Sequence, residues 1–93
     1  MFGHRKQKRD LMVQLLAIEL LLGATYPMLP PEKQQEVRAK APRDIADAVR
    51  KVVAAGDSAS ARELLDTSAA KVPSALTSEQ WTTILAPSYA LIA

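Results

Sequence analysis

Glu19 is the residue whose type and position most invite a chemical role. Between Leu11 and Leu22 only Gln14 and Glu19 are polar, and on a helical projection Glu19 falls among Met12, Leu15, Leu16 and Leu22. A carboxylate in that company is costly unless something meets it. A Lys or Arg from another element, or Tyr26 further along the same face, is the expected partner. The role that follows is a structural pair rather than a general acid or a ligand.

Other groups with chemical potential are few. Asp44/Asp47 and Glu63/Asp66 are acidic pairs at i,i+3 spacing, but a Mg²⁺ site or a general acid–base pair needs groups converging from several elements. His4, the only histidine, stands close to the first residue, where an imidazole has little rigid support for proton transfer or metal binding. Cysteine is absent, which removes disulfides, thiolate ligands and thiol nucleophiles together and leans towards a cytoplasmic setting. Glycine occurs only at positions 3, 23 and 56, so neither a phosphate-binding loop nor a dinucleotide fingerprint can be written. No catalytic, cofactor-binding or metal-binding residue is assigned, and an enzyme is not expected.

One charge cluster stands out. Arg5, Lys6, Lys8 and Arg9 are four of the 12 basic residues, so a chain of net charge +2 is net −2 beyond them. Such a basic arm, residues 1–9, can meet the phosphates of a nucleic acid without reading its sequence. It can also lie on anionic lipid, or simply solubilise the start of a helix. Basic then apolar is also the order of a signal peptide or signal anchor. Glu19 interrupts that run, and Leu11 to Leu22 reaches only ~18 Å against a hydrocarbon layer of ~30 Å, so membrane insertion is disfavoured.

The elements that position these groups are helical throughout. Residues 10–93 make a single domain, 48% hydrophobic and 24% charged as in globular chains, and with 4% aromatics the core must be built from Leu, Val and Ala. No stretch alternates apolar and polar residues as a strand would. Helical spacing, punctuated by proline and glycine, predicts helices over about 8–25, 31–40, 43–55, 58–70 and 78–86, with a further turn over 88–92.

Within the first helix Leu11, Leu15, Ile18 and Leu22 form a 4-3-4 seam while Met12, Leu16 and Leu20 cover a neighbouring face, so it should lie at the centre of the bundle, pair with another chain or contact lipid. Pro31 suits a first helical position, and Pro42 should stop the second helix. Gly56 reads as a left-handed C-terminal cap and Ser60/Glu63 as a capping box, which makes helices three and four an αα-hairpin. Thr77/Gln80 is a second capping box, with Leu76 and Trp81 at the staple positions.

Ala55-Gly56-Asp57 through Leu64-Leu65 resembles the inter-helix turn of tetratricopeptide-type repeats over this one hairpin, with no second copy. A DNA-reading helix-turn-helix is disfavoured, because Arg62 stands among Asp57, Glu63 and Asp66 on the second helix.

The expectation is an all-α bundle of four to five short helices that acts as a protein–protein interaction or assembly module, a homo-oligomer among the outcomes. Leu11, Leu15, Ile18 and Leu22, with the apolar tail Tyr89, Leu91 and Ile92, are the expected partner-binding residues. Nucleic-acid binding through Arg5, Lys6, Lys8 and Arg9 is the alternative, and membrane association the second alternative. The alanine-rich, cysteine-free composition suits a small bacterial or bacteriophage protein, a virion component in the latter case.

Overall fold

The computed structural model describes residues 2–92, with side chains from Lys6 onward, and they are all-helical. Four α-helices follow in order: α1 (Phe2–Leu20), α2 (Pro31–Ala54), α3 (Ser58–Ala69) and α4 (Ser78–Ala90). The basic stretch expected as a separate arm is helical from Phe2 and forms the first turns of α1. Beyond Leu20 the helix widens into a π turn (Leu21–Thr25), leaves helical dihedrals at Gly23, and tightens into a 3-10 turn at Tyr26–Met28. Gln34 pins this exit, its Nε2 donating to the carbonyls of Tyr26 at 3.0 Å and Leu29 at 3.2 Å.

Proline was expected to divide the chain twice where the structure continues. Pro31–Ala54 is one helix with Pro42 inside it, rather than two helices over 31–40 and 43–55. An interior proline deprives the carbonyl four residues back, that of Arg38, of its donor and costs ~3 kcal/mol. Ile45, Val49 and Val52 are fully buried along one stripe of α2, each contributing about 1.5–3 kcal/mol, so continuity outweighs the break. In the same way α4 passes through Pro87 to Ala90, anchored beyond it by the buried Ser88 and the half-buried Tyr89.

The cap signals fare better. Gly56 takes φ +85. Its N–H donates to Val53 and that of Asp57 to Val52, the double bond set that closes a helix on a left-handed residue. The expected box at Ser60 and Glu63 is displaced: the cap of α3 is Asp57, whose carboxylate accepts from the Ser60 N–H at 3.3 Å. Since α3 begins at Ser58, Ser60 is already helical. At α4 the Thr77/Gln80 box forms in both directions, at 2.9 and 3.1 Å, with Leu76 and Trp81 buried in the same core.

α2, rather than α1, packs against all three other helices, while α1 packs chiefly on α2 and α3. The shape explains why no helix is wrapped. The molecule measures 42 × 22 × 18 Å, and a helix with its side chains is about 10–12 Å across, so the bundle is two helices thick. Every helix therefore keeps one side towards solvent.

Candidate interaction face of the first helix

α1 carries apolar residues around most of its circumference, and a two-layer bundle can cover only one side of it. Leu11, Leu15, Ile18 and Leu22 turn inward and join a core with Tyr26, Ile45, Val49, Val52, Leu65 and Trp81. The expected partner-binding seam is thus taken up by the chain's own interior, Leu11 and Leu22 being 0% exposed. The opposite side stays open: Met12, Val13, Leu16 and Leu21 are exposed, Leu20 is 76% exposed, and Met28 in the following turn is 84% exposed. Six large apolar side chains exposed on one helix and its following turn form a patch rather than the scattered single residues usual on a monomer's surface.

The tail expected to join that seam is also accounted for. Tyr89, Leu91 and Ile92 are half-buried and pack against the core. The Tyr89 hydroxyl donates to Asp66 Oδ1 at 2.6 Å, linking α4 to α3. Burial, then that hydrogen bond and the Asp66 charge, push the Tyr89 pKa up to about 12, against a smaller opposing effect of Arg62.

Glu19 stands where inner and outer faces of α1 meet, and its partner is neither a cation nor Tyr26. Its Oε2 accepts a hydrogen bond from the Ser68 hydroxyl, and the Ser68 carbonyl accepts from Trp81 Nε1 at 2.8 Å. One serine on α3 therefore joins α1 to α4 through its two polar groups. Nothing in the sequence marks it, since Ser68 sits in an ordinary alanine-rich helical stretch. Beside this link, Met12, Leu15, Leu16, Glu19, Leu64 and Lys71 line a shallow groove of about 160 Å³ between α1 and α3, continuous with the exposed strip.

Lys6, Lys8 and Arg9 are exposed on the first turns of α1 and form no ion pair among the described residues. The side chains of His4 and Arg5 lie outside the described residues. α1 has no acidic residue in its first turn, and neither α1 nor the turns that continue it have a basic residue in the last. Both ends of the helix dipole are uncompensated by the helix's own side chains.

Two other depressions are larger but chemically plain. One of about 460 Å³ lies between α2 and α4 around Pro42, with Arg38, Gln80 and Thr83 on its walls. Another, of about 330 Å³, is edged by Asp10, Asp44, Asp47 and Lys51. Asp44 and Asp47 are partnered by Lys40 and Arg50, and among the described residues no group of acids or His is placed to hold a metal ion. Comparison with known protein families, with characterised proteins and with solved structures finds no match to this chain.

The residues that sequence reasoning underrated are Val13, Leu21 and Met28. A usable signal was present: a seam at 4-3-4 spacing fills one face, so the apolar residues left over must lie outside it.

Proposed function

We propose that the chain is a non-enzymatic interaction module that docks on a protein partner through the outer face of α1. The observation that carries this reading is a helix whose inner leucines complete the core while Met12, Val13, Leu16 and Leu20, directly behind them, have no cover. α3, paired with the C-terminal part of α2 as an αα-hairpin, serves as the scaffold on which α1 is laid. Docking through a helix face uses helical spacing rather than reactive groups, which fits a helix whose one buried-side carboxylate, Glu19, is taken up by the Ser68 link.

The test is the double variant Leu16→Glu/Leu20→Glu. Both positions face solvent, so the variant should keep the helical circular dichroism spectrum while losing the concentration-dependent association that light scattering should detect in the parent chain. Unchanged association in the folded variant contradicts the reading.

Membrane association is the second reading. Lys6–Met28 spans 23 residues, and its most apolar 18-residue stretch has a mean hydropathy of 1.5, enough to cross a bilayer by length and composition, with only 28% of that stretch buried. Flotation with vesicles containing anionic lipid separates the two, since a protein-docking module stays with the soluble fraction.

A further inference from the structure

The outer strip of α1 has a symmetry of its own. Met12 and Leu20 lie four residues before and after Leu16, all on one side of the helix, so a two-fold axis beside Leu16 would bring Met12 of one copy onto Leu20 of another. Self-complementarity of this kind is what a two-fold interface requires. The groove between α1 and α3 lies beside the strip to receive the partner's ridge of side chains.

Charge decides the direction of pairing. Two parallel copies of α1 would set Lys6, Lys8 and Arg9 against their own counterparts. In the antiparallel arrangement each basic turn reaches the far end of the other helix, where Arg9 comes level with the partner's Gly23. That end carries the negative pole of the helix dipole and no basic side chain of its own. The positive turn and the uncompensated C-terminal end, both unfavourable within one copy, neutralise each other across the pair.

We infer that a second copy of this chain covers the outer face of α1, helix on antiparallel helix, with the two-fold axis close to Leu16. The inference rests on the docking reading above and names its partner. Buried area alone does not set the affinity of such a pair, so the test spans a wide concentration range.

Sedimentation equilibrium up to ~200 µM protein tests it together with a spin-label distance measurement. The parent chain should reach dimer mass, and Leu16→Glu should raise the dissociation constant by at least about 30-fold while circular dichroism shows the helices intact. The chain holds no cysteine, so Ala17→Cys and Lys6→Cys each give one unique labelling position. Labels at Ala17→Cys should lie within about 20 Å of each other, and those at Lys6→Cys about 30 Å or more apart, given a rise of ~1.5 Å per residue.

A parent chain that stays monomeric throughout overturns the second copy and leaves the docking face to another protein. A dimer that persists unchanged in folded Leu16→Glu overturns the docking face as well. Short distances at both label positions overturn the antiparallel arrangement.

Discussion

The two faces of α1 are almost alike in composition and opposite in fate. The inner one presents Leu11, Leu15, Ile18 and Leu22, and the outer one Met12, Val13, Leu16 and Leu20, yet the first set is buried and the second lies in water. Hydropathy alone does not separate them. The polar residues between Leu11 and Leu22 do not mark the solvent side either, because Gln14 borders a groove shared with α2 and Glu19 is tied to Ser68. What separates the faces is supply: the stripes offered by α2 and α3 can cover one side of a helix and not both. An apolar helix in a small two-layer bundle thus has a core face fixed by packing and a second face left in water.

The sharpest way to break this comparison is truncation on each side. Leu11→Ala should lower unfolding stability by about 3 kcal/mol, by lost burial and the cavity left behind, as read from urea denaturation. Leu20→Ala should change the stability of the monomer by less than about 0.5 kcal/mol in the same measurement. Equal losses at the two positions would mean that both faces are core.

A smaller effect is expected where the faces meet. Ser68→Ala removes the donor that satisfies the half-buried Glu19 carboxylate and should cost about 1–2 kcal/mol in urea denaturation. Glu19→Gln, still able to accept from Ser68, should cost less.

Behind the inner face, Pro42 tests how firmly packing overrules local preference. Pro42→Ala returns a donor to the Arg38 carbonyl and should raise stability by about 1 kcal/mol, the regained helix bond being partly offset by a freer unfolded chain. A loss of stability would mean that the ring packs better than the missing bond costs.

The mildest test concerns the tail, which packs on the chain's own core where a partner-binding segment was expected. Because the folded state holds the Tyr89 pKa at about 12 against an ordinary 10.0, the hydroxyl's contribution is complete below pH ~10 and is lost as pH rises towards 12. Tyr89→Phe should lower the urea midpoint modestly near neutrality, where the hydroxyl's contribution is complete, and should remove that part of the alkaline decline between pH 9 and 12.

Much of this architecture was legible in the chain. Helical periodicity, Gly56, Asp57 just ahead of a helix, and the Thr77/Gln80 box are local signals whose physics is complete within a few residues. Pro42 and Pro87 misled because their cost is local, whereas the burial of Ile45, Val49, Val52 and Leu85 that outweighs it comes from other helices. The interaction face was legible only by half. The surplus of apolar residues on α1 was visible, but which side would be left over depended on how many helices could reach it, and that is a property of the assembled bundle. The Ser68 link was not legible at all, since it depends on three helices meeting at one side chain.

Methyl-resolved NMR over a dilution series tests the central claim most directly. Between ~500 and ~5 µM the methyl resonances of Met12, Val13, Leu16 and Leu20 should shift with concentration, while those of Leu11, Leu15, Ile18 and Leu22 hold still, because only the outer face gains and loses a neighbour as copies associate. Shifts confined to the inner set, or outer methyls that remain fixed across the whole range, would contradict the account.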